Sequence, residues 1–195
     1  MASGGEITFL LQAVREGSVG ALEQLTPLVY TELKAVARRQ LRNRRPGQTL
    51  DTTALVNEAY VKLVEGENVD WRDREHFLSV AGVAMRHILV DAARRRAARK
   101  RGGDELRVTF EELRLSTPSS DSEARVVEVL AVDAALTALA RLNERLSRLV
   151  ELLYFAGLTE EEAARVLGVS DRTVRRDWRK ARAFLFRTLQ GQAMA

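Results

Sequence analysis

The apolar residues of this chain recur every three or four positions along most of its length, which predicts a series of amphipathic helices. The first stripe is short and ends near Gly17, and Pro27 is expected to divide the second stripe near its start. A third stripe ends at Gly66, and a long fourth helix is predicted from about His76 to Arg101. These elements together predict one helical domain.

The periodicity is lost between residues 104 and 122, where Thr117, Pro118, Ser119 and Ser120 cluster. A second helical unit begins near Asp121. Only three prolines interrupt the 195 residues, and the commonest residues are good helix formers. We therefore predict an all-α protein of two small helical domains, residues 1–103 and 123–195, joined by an acidic linker at 104–122.

The segment 157–189 predicts a helix-turn-helix. Thr159, with Glu162 three residues later, forms the pattern of a capping box at a helix start. Gly168 suits a sharp turn between two helices, because such a corner commonly needs a positive φ. Ser170 can cap the second helix.

Apolar residues at helical spacing leave an arginine-rich outer face on that second helix, a combination that suits the DNA major groove. We expect the early residues to reach base edges and the later ones to meet phosphates. The base-reading set is Arg172, Thr173, Arg175 and Arg176, and the phosphate-binding set is Arg179, Lys180 and Arg182. The alternative is a solvated helix of an ordinary bundle.

Composition narrows the function classes. The chain has no cysteine and two histidines, and it shows no phosphate-cradling glycine loop, so we expect no catalytic site, no metal and no cofactor. It also lacks an apolar run long enough for a membrane span and a signal-like N-terminus, so a cytoplasmic protein is expected.

Net charge is +4, but it is unevenly distributed along the chain. Residues 1–103 carry +5, residues 104–140 carry −5 and residues 141–195 carry +4. Two basic ends around an acidic middle indicate two polyanion-binding modules. Chance segregation on solvated helices would give the same totals.

Six positive charges lie within residues 94–101, at the end of the long helix. Their mutual repulsion is relieved by a bound anion, although a solvated face is the common reason for such a run. Just upstream, Trp71 lies among Arg72, Arg74 and His76, an arrangement typical of a stacking platform for an unpaired base. The alternative is that Trp71 is a plain core anchor.

Several motifs together resemble the extracytoplasmic-function (group 4) sigma factors of bacterial RNA polymerase. Residues 55–60, Leu-Val-Asn-Glu-Ala-Tyr, resemble the helix by which that family grips the polymerase clamp. Thr52-Thr53-Ala54, His76-Phe77 and residues 84–91 resemble the divergent ECF-like branch in particular. The C-terminal motif resembles region 4 of the family. The match covers nearly the whole chain outside the linker.

The resemblance implies a role for each site. It implies core RNA polymerase and promoter DNA as partners, the latter as an upstream duplex and a melted minus-ten strand, with an anti-sigma factor as a further candidate. The polymerase-binding residues would be Asp51, Leu55, Asn57, Glu58 and Lys62. Those holding the minus-ten strand would be Trp71, Arg72, His76, Arg86, His87, Asp91, Arg94 and Arg95. The upstream-element residues would be Arg172, Thr173, Arg175, Arg176, Arg179 and Lys180.

A stand-alone helix-turn-helix regulator is the competing hypothesis. It predicts operator binding without polymerase, usually as a dimer on a palindrome. An enzyme is the third, and the scattered acids argue against it.

Overall fold

The computed structural model describes residues 4–41, 52–64, 71–100 and 120–193. The regular elements of these residues are all helices, eight of them α-helices, which confirms the all-α prediction. The helices are α1 (Gly4–Arg15), α2 (Ala21–Leu41), α3 (Thr52–Val64), α4 (Arg74–Lys100), α5 (Ser120–Leu142), α6 (Glu144–Val150), α7 (Glu160–Leu167) and α8 (Asp171–Ala193). Within these residues, no helix combines the length and the apolar character that crossing a membrane requires.

The predicted stripes form the buried sides of the first four helices. Leu33 of α2, Leu55 of α3 and Ile88 of α4 have almost no exposed surface and belong to one apolar cluster. Burying each such side chain stabilises the fold by about 1.5–3 kcal/mol.

The expected break at Pro27 is wrong. Pro27 lies inside a continuous α2. Proline lacks one backbone N–H, so it removes one hydrogen bond near the helix start. The buried stripe from Ala21 to Leu41 lies on both sides of Pro27, and its packing keeps the helix in one piece.

A π-helical turn (Glu151–Ala156) continues α6 and ends at Gly157, whose φ is 76°. Sequence periodicity did not predict this turn. Leu152 and Ala156 of the turn join the same apolar cluster as α2, α3 and α4. The helices of the two predicted domains therefore pack against each other. Most of the predicted linker lies outside the described residues, and α5 begins at Ser120, inside its last part.

At Gly82, the backbone of α4 lies close to the π-helical turn. A Cβ atom at Gly82 would lie 2.7 Å from the backbone N and Cα of Ala156. Only glycine fits there without moving one backbone away from the other.

Candidate nucleic-acid interface

The start of α7 and the turn between α7 and α8 have the geometry that the sequence predicts. The Thr159 N–H donates to Glu162 Oε2 at 2.8 Å, and the Glu162 N–H donates to Thr159 Oγ1 at 3.2 Å, so both halves of the capping box are present. Gly168 ends α7 with a φ of 63°. The helix-turn-helix prediction is confirmed.

α8 begins directly after Ser170, whose Oγ accepts the Thr173 N–H at 3.3 Å. Its inner face buries Val174 and Ala181 and half-buries Trp178. Because the core fixes this face, the opposite face has a defined direction. That opposite face carries the arginines.

The cations of the outer face of α8 are exposed, but two of them already contact carboxylates. Arg175 Nε donates to Glu160 of α7 at 3.1 Å, and Arg176 Nε donates to Asp177 at 3.3 Å. Arg179 Nε donates to the backbone oxygen of Arg175 at 3.4 Å. The members of this exposed face are Arg172, Arg175, Arg176, Arg179, Lys180 and Arg182, with Thr173 half-buried beside them.

The aromatic platform lies at the start of α4. Trp71 is half-buried and meets Phe77 edge-to-face, with ring centroids 5.1 Å apart. The His76 ring lies 6.0 Å from the Trp71 ring, and its Nδ1 accepts the Arg72 N–H at 3.5 Å. Trp71 therefore packs on the core with one part and stays accessible with another.

Arg86, midway along α4, lies between carboxylates of the C-terminal helices. Its Nη1 donates to Asp133 of α5 at 2.5 Å, and its Nη2 donates to Glu151 of the π-helical turn at 3.2 Å. The side chain is only 13% exposed, and its Nε meets no acceptor within the described part of the chain. Arg86 thus bridges the two predicted domains.

Arg94, which lies about two turns after Arg86 on α4, contacts the same carboxylate of Asp133. Its Nη2 lies 3.0 Å from Asp133 Oδ2, and its Nη1 lies 3.7 Å from Asp91. Arg94 is still well exposed, as is His87, whose Nε2 lies 3.1 Å from Arg86 Nη2. Asp91 and Arg95 are half-buried. The side chains of the last residues of the basic run, from Arg99 onwards, lie outside the described residues.

Two further ion pairs join the start of α4 to α7. Arg74 lies 2.9 Å from both Glu32 of α2 and Glu162 of α7, and Arg165 lies 2.9 Å from Glu75. Burial alone would raise the pKa of Glu75, but the hydrogen bond and charge of Arg165 outweigh burial and hold it below its ordinary value. The pKa of Arg74 is raised, since its two carboxylate partners outweigh its burial.

Comparison with known proteins decides the family. A family model described as ECF sigma factor matches residues 4–191, nearly the whole chain. The chain belongs to the ECF sigma factor family. No curated protein and no solved structure gave a significant match. The family consists of DNA-binding transcription-initiation factors that direct RNA polymerase to promoters, and it is not a family of enzymes.

The sigma factor's α3 exposes part of the predicted polymerase surface. Asn57 is exposed and accepts a hydrogen bond from Tyr30 at 3.0 Å, and Lys62 lies 3.8 Å from Glu58 one turn earlier. Leu55 has no exposed surface, so it supports α3 from the core instead of presenting a contact. Asp51 lies outside the described residues.

Sequence reasoning missed an ion pair that joins α8 of the sigma factor to α6. Asp177 is a buried carboxylate on α8, and Arg145 of α6 pairs with it at 2.8 Å. The signal in the sequence was the position of Asp177, an acidic residue directly beside the apolar stripe of α8. The partner on α6, 32 positions away, could not be read from local periodicity.

Proposed function

We propose that this sigma factor uses α8 to recognise the upstream promoter element and the start of α4 to hold the melted minus-ten strand. The observation that carries the proposal is the outer face of α8, where exposed arginines stand over a buried Val174 and Ala181 next to a glycine turn. A helix with that geometry fits the major groove, and arginine can donate two hydrogen bonds to guanine. A stand-alone regulator would need the same helix, but the family match favours the polymerase-dependent function.

The minus-ten contact is proposed for the accessible part of Trp71, with Arg72 and His76 beside it. Extruding a base from the duplex costs a few kcal/mol. Stacking on an aromatic side chain returns about 1–3 kcal/mol per base. Polymerase contacts would supply the remainder, so the sigma factor is not expected to melt DNA alone.

Core polymerase is proposed to bind the surface of α3 that carries Asn57, Glu58 and Lys62, with Asp51 at its entry. Asn57 and Lys62 are exposed on that surface, and Glu58 is half-buried beside them. The proposal places the protein in the cytoplasm, where polymerase and chromosome meet.

The strand-holding role of Arg86 requires a change in the free protein. The carboxylates of Asp133 and Glu151 bind the Arg86 guanidinium, which a phosphate of the melted strand would otherwise contact. Carboxylates and phosphates are both bound by arginine through charge-assisted hydrogen bonds, so the two compete for the same donors. We therefore propose that α4 separates from α5 and the π-helical turn before the melted strand binds.

In-vitro transcription tests the proposed function. The purified chain is mixed with core polymerase and promoter fragments from its host, and transcripts are mapped. Discrete start sites that disappear when the chain is omitted support the proposal. Specific operator binding that needs no polymerase, together with no initiation at any promoter, would favour the stand-alone regulator instead.

A further inference from the structure

Asp177 is a carboxylate in an unusual place for a recognition helix. Its side chain is 4% exposed, on the edge of the buried face of α8. Burying a carboxylate is costly unless it is paired and hydrogen-bonded. Asp177 meets this requirement with two arginines: Oδ2 forms an ion pair with Arg145 Nη2 at 2.8 Å, and Oδ1 accepts a hydrogen bond from Arg176 Nε at 3.3 Å.

Arg145 comes from α6, and helix electrostatics do not account for its position. It occupies the first turn of α6, just after the Asn143 cap. A positive charge at a helix N-terminus opposes the helix dipole. Its guanidinium is nevertheless held beside α8, with 47% of the side chain exposed.

The shared carboxylate brings two like charges together. Arg145 and Arg176 reach the two oxygens of one carboxylate, so their guanidinium groups lie close to each other. One negative charge balances only one of them. The pair therefore presents a net positive charge to solvent at the edge of α8, which favours a bound anion.

We propose that Arg145 binds a backbone phosphate of the upstream duplex, and that Asp177 positions Arg145 and Arg176 for their separate tasks. The inference rests on the proposed function, in which α8 enters the major groove. Phosphates line both walls of that groove, and contacts to them fix the register of the helix. Glu160 of α7 holds Arg175 on one flank of α8, and Arg145 of α6 stands on the other flank.

The experiment measures binding of the sigma factor with core polymerase to two duplexes, one a promoter and one with a scrambled upstream element, over a series of salt concentrations. Arg145→Ala should lower the slope of log affinity against log salt by about 0.9, the value for one phosphate contact. The affinity should fall by a similar factor on both duplexes. Arg141→Ala removes an equal charge from the nearby end of α5, without the Asp177 contact, and should change the slope less.

Asp177→Asn separates positioning from simple charge. Loss of a negative charge near DNA, acting by charge alone, would strengthen binding to both duplexes equally. Positioning predicts instead that the promoter-to-scrambled affinity ratio falls about five-fold, the lower range for one misplaced arginine–guanine contact. Thermal unfolding checks that the variant is folded, and Arg145→Ala tests the phosphate contact independently.

The outcomes are distinguishable from failure of the proposed function. If the wild-type complex does not prefer the promoter duplex, the proposed function itself fails. If the wild type prefers it while Arg145→Ala leaves the salt slope unchanged, or matches Arg141→Ala, the phosphate contact is refuted. An unchanged affinity ratio in folded Asp177→Asn refutes the positioning role.

Discussion

Arg86 of α4 donates a hydrogen bond to Asp133 of α5 across 2.5 Å, although 47 positions separate them in the chain. Glu151 accepts a second hydrogen bond from the same guanidinium. The arginine that the family resemblance assigns to the melted strand is therefore held by two carboxylates in the free sigma factor. Under the proposed function, this arrangement would link promoter binding to the packing of the two helical units.

Replacing Asp133 with asparagine removes the charge that pairs with both Arg86 and Arg94, leaving Glu151 as the carboxylate partner of Arg86, and is expected to make both arginines more available to DNA. The free protein should then bind a single-stranded minus-ten oligonucleotide about five-fold or more tightly, the lower range of typical coupling between sites. Fluorescence anisotropy measures this affinity. Glu128→Gln removes one exposed negative charge from the same helix without touching Arg86, so an equal gain in that control would mean that net charge alone is responsible.

Gly82→Ala tests the contact between α4 and the π-helical turn without changing any charge. The added Cβ would meet backbone atoms of Ala156 at 2.7 Å, so α4 and the π-helical turn must move apart. Small-angle scattering should show a larger radius of gyration, while α4 itself is not weakened because alanine favours helix. Gly4→Ala, whose Cβ would meet a side-chain atom, Arg74 Cδ, at 3.3 Å and no backbone atom, should leave the radius unchanged. An unchanged radius in Gly82→Ala would contradict the tight contact.

Trp71→Ala is expected to weaken open-complex formation and to spare duplex binding by α8. Loss of one stacked base corresponds to about 1–3 kcal/mol. Permanganate reactivity of the minus-ten region measures melting, and duplex binding is followed separately. Trp71→Phe keeps an aromatic ring against Phe77 and should retain part of the melting activity. Equal losses of melting and duplex binding would identify Trp71 as a core anchor only.

Acid pH should loosen the contact between α4 and α7. The pKa of Glu75 is held below its ordinary value of 4.5. Above pH 4.5, its ionised carboxylate therefore contributes fully to the stability of the contact between α4 and α7. This contribution is lost as the pH falls through the lowered pKa. NMR titration of the Glu75 carboxyl should give a value below 4.5 that rises when Arg165 is replaced by alanine. A titration unaffected by Arg165→Ala would show that the ion pair is absent in solution.

Local patterns predicted the parts of this molecule that depend on neighbouring residues. The capping box of Thr159 and Glu162, and the turn at Gly168, involve residues within a few positions of each other, so the sequence determines them directly. The presence of a long helix at α4 likewise follows from the local apolar period. The contacts of Arg86 do not, because they join residues 47 and 65 positions apart and depend on how the helices pack.

The errors have the same physical origin. The sequence predicts an interruption of α2 at Pro27, yet packing of the stripe on either side keeps the helix continuous. The family resemblance places Leu55 among the polymerase-binding residues, whereas its side chain has no exposed surface in the structure. Local periodicity does not single out Asp177, since its partner Arg145 lies on another helix. Tertiary packing decides each of these cases.

Binding of the purified chain to core RNA polymerase at low salt tests the central claim most directly. Sedimentation velocity of the two components, mixed without DNA, should reveal one complex containing one copy of the chain. Substituting Asn57 and Lys62 together on α3 should weaken that complex. If the two components sediment separately at every concentration, the chain does not act with polymerase and the account is contradicted.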